Sequence, residues 1–217
     1  MRPARFSATL VHRIRLNAHC IELGLQRPAD FDFKPGQRIR ICLAQVERDY
    51  SLAAGPGDPD LRLLVRIFPD GRLSPRMETL PIGSPVSFYG PMGYFVFQAT
   101  ERTPVFVATG TGVAPFVSMC RAGAEGFVCL HGARHDADLL YSHILRERAA
   151  RYIPCLSAQR STADAGFHGR VTDCLAQLPT DSAYDFYLCG RQEMIRDAFE
   201  IIDERFAGAH VHSEVFY

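Results

Sequence analysis

Arg48, Tyr50 and Ser51 stand within the four-residue stretch RDYS. A guanidinium suits phosphate. An aromatic ring offers a π-face for stacking. A hydroxyl can give or take a proton at close range. Together the three groups suit an anionic cofactor with a flat ring and a reactive ring nitrogen. Alone, the stretch would serve equally well as a surface turn carrying a chance arginine.

Other short stretches extend this chemistry. In RIFPDGRLS, residues 66–74, Gly71 is followed three positions later by Ser74, just ahead of a predicted short helix, PRMETL. That is a second phosphate-sized cluster of donors. YGPMGYF, residues 89–95, places two glycines and an aromatic at the end of the same region. In VATGTGVAP, residues 107–115, a predicted strand runs into a turn of Gly110, Thr111 and Gly112, and a helix opens near Pro115. Free N–H groups at such a turn, with glycines permitting close approach, suit a pyrophosphate. The order is G-T-G-x-A-P rather than G-x-G-x-x-G, and the glycines alone would also fit a plain strand-to-helix turn. YLCG, residues 187–190, ends a predicted parallel strand, so Cys189 should face a ligand crevice at the strand's carboxyl end. HSEVFY, residues 212–217, sets Glu214 beside Phe216 and Tyr217; a last strand with core aromatics is the competing reading.

The elements that must position these groups fall into two rhythms. RFSATLVHRIRL, CIELGLQ, QRIRICLA, LRLLVRIF and PVSFYG are short β-type runs separated by Gly, Pro and Asp. They predict a small antiparallel barrel or sandwich. From TPVFVATG onward, apolar strands alternate with helical patterns, among them VAPFVSMCRAGA, DADLLYSHILRERAARY and QEMIRDAFEIIDERF. That alternation predicts a doubly wound α/β domain with a parallel sheet. The change of rhythm comes at residues 98–103, giving domains 1–98 and 99–217.

Composition narrows the field. At 47% hydrophobic and 22% charged, 217 residues can bury a sizeable core without staples. No apolar run reaches the roughly 18 residues of a membrane span. The arginine-broken N-terminus is a poor signal peptide, so a cytoplasmic protein is expected. The seven cysteines form no CxxC pair, which argues against a disulfide framework, a zinc site and a cysteine-held iron–sulfur cluster. No metal site and no nucleic-acid role are expected. The single lysine, Lys34, lies in no P-loop. Net charge is zero but uneven: 13 Lys/Arg against 9 Asp/Glu over residues 1–98, and 11 against 15 over residues 99–217.

The ordered set RDYS, DGRLS, GPMGYF, GTGVAP, HGAR, LCGRQEM and HSEVFY resembles the ferredoxin–NADP reductase superfamily of flavin reductases over nearly the whole chain. That resemblance implies a flavin-binding β-barrel followed by a nucleotide-binding α/β domain. It implies that Tyr50 packs on the flavin ring, Arg48 pairs with its phosphate and Ser51 lies near flavin N5. Arg66, Phe68, Gly71, Leu73 and Ser74 would line the pyrimidine edge and phosphates. The turn from Gly110 to Pro115, with Thr111 and Gly112 central, would hold the nicotinamide cofactor's pyrophosphate. Cys189, followed by Gly190, would sit beside the nicotinamide, with Glu214 closing the pocket. Ser51, Cys189 and Glu214 are thus the expected catalytic set.

Plant-type members stop at a covering tyrosine after Glu-Val. Here Phe216 takes that place and Tyr217 is one beyond, so either ring could cover the flavin. CLSAQR offers Ser157 and Arg160 to a ribose 2′-phosphate, with no acid at the strand end. Arg134 and Arg170 match arginines that some bacterial NADPH-dependent relatives use, although Ala158 stands where those often have arginine. The cofactors implied are FAD and NADP, or NAD. The expected activity is hydride transfer from NAD(P)H to FAD, then electron transfer to a separate acceptor such as ferredoxin. A reductase of free, diffusing flavin and a non-catalytic flavin-bound subunit are the alternatives.

Overall fold

Ile39 and Ile41 alternate with Arg38 and Arg40, and the strand they make buries the isoleucines completely. The computed structural model describes residues 3–158 and 166–216. The chain divides into two compact units, residues 1–97 with 117–122, and residues 98–116 with 123–217.

Unit 1 holds strands β1 (Arg5–Arg15), β2 (Cys20–Gln26), β3 (Arg38–Leu43), β4 (Val46–Ser51), β5 (Asp60–Arg66) and β6 (Pro85–Met92), with helix α1 (Ser74–Thr79) before β6. They form one antiparallel sheet in the order β4-β3-β6-β1-β2-β5. A bridge between Leu52, just beyond β4, and Leu63 on β5 draws the two edge strands together, so the sheet curls into a half-barrel. Leu10, Leu23, Ile39, Ile41, Leu63 and Phe88 fill it.

RDYS lies on β4, where the sequence showed no strand. β3 and β4 pair Leu43 with Val46 and Arg40 with Asp49, leaving a two-residue connection of Ala44 and Gln45. Both have positive φ, 49° and 62°. Such a turn usually announces itself by Asn or Gly, and neither is present. On the outer face Arg40 Nε lies 2.6 Å from one Asp49 oxygen, and Arg38 Nε lies 3.2 Å from the other. Burial pushes the Asp49 carboxyl up, but the two guanidinium groups outweigh it and hold it below the usual range.

Unit 2 is built on β7 (Thr103–Thr109), β8 (Val128–Ala133), β9 (Arg151–Leu156), β10 (Phe167–His168), β11 (Tyr184–Arg191) and β12 (His210–Phe216). All run parallel, in the order β10-β9-β8-β7-β11-β12. Among the described residues, α2 (Ala114–Arg121) begins in this unit, with its residues from 117 on counted in unit 1, and α3 (Ser142–Arg148), α4 (Val171–Leu175) and α5 (Gln192–Arg205) belong to it. One face packs Val107, Leu130, Phe186 and Leu188 against Ala198 and Ile202 of α5. On the other, Phe106 stacks on Phe116 and Phe127 with centroids 4.6 and 4.2 Å apart.

The predicted helix DADLLYSHILRERAARY is shorter than its pattern. Asp136–Asp138 form a 3₁₀ turn, Tyr141 takes a left-handed backbone with φ of 56°, and only Ser142–Arg148 are α-helical. Arg151 and Tyr152 already belong to β9.

Candidate functional site

In unit 1, Arg48 and Tyr50 lie two apart on β4 and share a face. Arg48 is exposed, and its guanidinium donates to the Glu47 carbonyl at 2.7 Å. Tyr50 is half-buried, packed against the barrel core; burial pushes its hydroxyl up to about 12, so it stays neutral. Ser51, at the strand's end, is buried.

Arg66 ends β5, and its guanidinium carbon lies 5.4 Å above the ring of Phe68, which is 51% exposed. The next residues fold into a tight loop. The Gly71 N–H donates to the Phe68 carbonyl at 2.8 Å, and the Phe68 N–H donates to the Ser74 hydroxyl at 3.0 Å. A Cβ on Gly71 would lie 2.9 Å from the Phe68 carbonyl oxygen, so only glycine fits. Leu73 and Ser74 are buried, and the Ser74 hydroxyl is turned back on its own loop. In GPMGYF, Phe95 is buried whereas Tyr94 is almost fully exposed.

Arginines 15, 27, 38, 40 and 62 of this unit are each tied to a carboxylate. Arg48 and Arg66 have no carboxylate partner among the described residues, and Phe68 keeps a half-exposed ring beside one of them. Two guanidinium groups without a carboxylate partner, one of them against a half-exposed ring, fit an anionic, flat-ringed group such as a flavin nucleotide.

In unit 2 the carboxyl ends of β7 and β11 meet. After Thr109 the chain turns through Gly110–Val113 as a 3₁₀ turn and enters α2, with Pro115 in its first turn. A Cβ on Gly112 would fall 2.4 Å from the Cys189 carbonyl oxygen and 2.7 Å from Gly190 Cα, so the glycine turn touches β11 backbone to backbone. Gly190 has φ of +151°, and a Cβ there would meet the Thr109 hydroxyl at 2.1 Å. Gly110, with φ of +56°, faces open space, and the neighbouring Thr111 is half-buried. The structure thus joins two separate motifs, GTGVAP and YLCG, at the place where the strand order reverses about β7.

Cys189 is fully buried and pairs in register with Glu214 of β12, itself buried. Burial, with the Glu214 charge adding to it, pushes the Cys189 thiol well above its ordinary range. The group is therefore a neutral thiol at physiological pH.

Arg134, Ser157 and Arg170 follow β8, β9 and β10 at the same carboxyl edge, and all three are exposed. Ser157 is folded back, its N–H donating to the Ala133 carbonyl at 3.0 Å. The Arg170 N–H donates to Asp173 at 3.0 Å, but neither the Arg134 nor the Arg170 guanidinium has an acidic partner among the described residues. Arg160 and Tyr217 lie outside the described residues; Phe216 is the last residue of β12, in register with Arg191. Among the described residues no cluster of His, Cys, Asp and Glu could hold a metal. Sequence reasoning passed over Thr109 and Gly132, whose close approach shows only when β7, β8 and β11 are side by side.

Comparison with known proteins places these motifs in context. Residues 7–97 match the oxidoreductase FAD-binding domain, and residues 106–200 match the oxidoreductase NAD-binding domain. A flavodoxin/ferredoxin–NADP reductase of Shigella flexneri is 31% identical over 190 residues, covering 76% of this chain and 77% of that protein. The ferredoxin–NAD(P)(+) reductase component of the naphthalene 1,2-dioxygenase/salicylate 5-hydroxylase systems of Ralstonia sp is 30% identical, covering 99% of this chain and 70% of that one. Among solved structures, a ferredoxin NADP+ reductase from Neisseria gonorrhoeae with bound FAD and NADP superposes with a TM-score of 0.87 over 98% of this chain and 99% of that one, at 19% identity.

Proposed function

Because the chain belongs to the ferredoxin reductase-like family of flavin oxidoreductases, we propose that it takes hydride from NADPH onto a bound FAD and passes the electrons singly to a separate carrier, a ferredoxin or an oxygenase component. In this reading residues 1–98 hold the FAD and residues 99–217 the nicotinamide cofactor. The observation that carries it is the backbone-to-backbone seat of the glycine turn on the end of β11, beside the buried pair of Cys189 and Glu214.

The chemistry would be the cofactors' own: when bound, nicotinamide would supply a hydride and flavin would store it and release single electrons. The protein's part is placement and exclusion of water. Tyr50 offers a neutral ring for stacking, Arg48 an exposed guanidinium without a carboxylate partner for phosphate, and Ser51 a hydroxyl that would hold a proton beside flavin N5. Arg66 and Phe68 flank the flavin's pyrimidine edge; Gly71, Leu73 and Ser74 shape the loop that meets its phosphates. Gly110, Thr111, Gly112 and Pro115 hold the second cofactor's pyrophosphate, with Gly190 leaving room behind them. Cys189, held as a thiol, is a compact neutral neighbour for the nicotinamide and not a nucleophile toward it. Glu214 closes that pocket. The exposed cations Arg134 and Arg170, with Ser157 and Arg160, favour a 2′-phosphate and hence NADPH over NADH.

The test is the visible spectrum of the purified protein, followed by anaerobic titration with NADPH and separately with NADH. A yellow protein bleached rapidly, and faster by NADPH, is expected. A protein that takes up neither FAD nor FMN, or whose flavin neither coenzyme reduces, would overturn the proposal.

A further inference from the structure

Thr109 closes β7, and two glycines from two other strands make room for it. A Cβ on Gly190 of β11 would lie 2.1 Å from the Thr109 hydroxyl oxygen. A Cβ on Gly132 of β8 would lie 3.0 Å from the Thr109 methyl and 2.9 Å from Val171 Cβ, and the Gly190 position also faces Met194 Cε at 3.0 Å, so Thr109 shares each space with one neighbour. The hydroxyl also accepts the N–H of Arg191, the residue that opens α5, at 3.4 Å. Its branched side chain therefore fills the gap between the ends of three neighbouring strands, with one branch toward each side. β-branched residues are restricted at χ1, which suits a wedge better than a flexible side chain would.

The position of this wedge matters. Gly190 directly follows Cys189, and the glycine turn that Thr109 begins rests on the Cys189 carbonyl. Thr109 thus lies against Gly190, one of the two residues of β11 that Gly112 touches. We propose that Thr109 is a positioning residue: by filling the space beside Gly190, and with Val171 the space beside Gly132, it fixes the Cys189–Gly190 end of β11 against the glycine turn, and so sets the crevice that receives the nicotinamide. The crevice half of this inference rests on the function proposed above; the wedge itself does not.

Two variants separate shape from hydrogen bonding. Thr109→Val keeps the branched shape and loses the hydroxyl, and the 3.4 Å bond it removes is a long one. Thr109→Ala removes both branches and leaves a gap. The first readout needs no coenzyme: the rate at which a small alkylating reagent labels Cys189 in the native, flavin-loaded protein, followed by mass spectrometry of the peptide that carries it. The second is the half-saturating NADPH concentration for flavin reduction, with flavin content measured in parallel.

The expected result is labelling of Cys189 about tenfold faster in Thr109→Ala than in wild type, with half-saturation raised about tenfold and flavin content unchanged. Thr109→Val should match wild type within about threefold in both. Cys189 labelling unchanged in Thr109→Ala would overturn the wedge. So would a Thr109→Val protein that behaves like Thr109→Ala, since the hydroxyl alone would then be responsible. If wild type is not reduced by NADPH at all, the functional reading falls, while the labelling rates still decide the wedge.

Discussion

His131 sits at the centre of unit 2 on β8, fully buried, in the HGAR stretch. Its Nδ1 lies 2.9 Å from the Tyr152 hydroxyl, and its Nε2 has no partner among the described residues. Burial lowers its pKa from 6.5 to about 4. The folded protein therefore keeps it neutral, whereas the unfolded chain binds a proton below pH 6.5. Stability follows with a definite sign: full above pH 6.5 and lost progressively as pH falls towards 4. A shift of this size corresponds to roughly 3 kcal/mol by the acid end. A His131→Gln variant cannot charge, so the stability gap between it and wild type should narrow by about 2–3 kcal/mol between pH 7 and pH 4.5. Urea unfolding at the two pH values measures it, and a constant gap would show that His131 does not titrate. The sequence displayed HGAR as a motif but gave no sign that its histidine is sealed off. Burial on both faces of a parallel strand depends on partners far along the chain.

At the scale of elements, the glycine turn and the β3–β4 hairpin carry different kinds of information. The turn was legible: two glycines between an apolar strand and a helix have few other uses. Its contact with β11 was not, because Gly112 meets Cys189 across 77 positions of sequence. A Gly112→Ala variant puts a methyl carbon 2.4 Å from the Cys189 carbonyl and must push the turn away. Reduction by NADPH should fall by about two orders of magnitude, with flavin content unchanged; stopped-flow traces and the visible spectrum report the two. The hairpin was not legible. VERDYS is mostly polar and the connection Ala44–Gln45 lacks turn residues, so β4 hid behind its own functional side chains. Both connecting residues carry left-handed strain of about 1 kcal/mol each. Replacing them by Asn-Gly should stabilise the protein by about 1–2 kcal/mol, read as a higher denaturation midpoint with flavin binding intact. The long helix predicted over DADLLYSHILRERAARY failed for a related reason. Tyr141 turns left-handed in the middle of a periodic pattern, and periodicity cannot register one backbone angle.

Over the whole molecule, the change from period-two to strand–helix rhythm announced two architectures, and the chain does form an antiparallel sheet and a parallel one, each with its own core. Strand order was beyond sequence reasoning. β6 inserts between β3 and β1, and nothing local selects partners that far apart. Two cores also mean two places where a ligand can stabilise. FAD at about 100 times its dissociation constant should add about 2.7 kcal/mol to the unit that binds it. Hydrogen exchange should therefore slow with FAD chiefly in β3–β5, and with NADP+ chiefly at the ends of β7 and β11. Protection by FAD confined to unit 2 would reverse the assignment of the cofactors.

The Leu43–Val46 pairing has one more consequence. Side chains on β4 alternate, so the connection's length decides whether Arg48 and Tyr50, or Glu47 and Asp49, look toward the barrel's inner side. Odd and even exchange places with a single inserted residue. The choice between a cationic, aromatic face and an acidic one is held by the parity of a count, at a turn of two residues, Ala44 and Gln45.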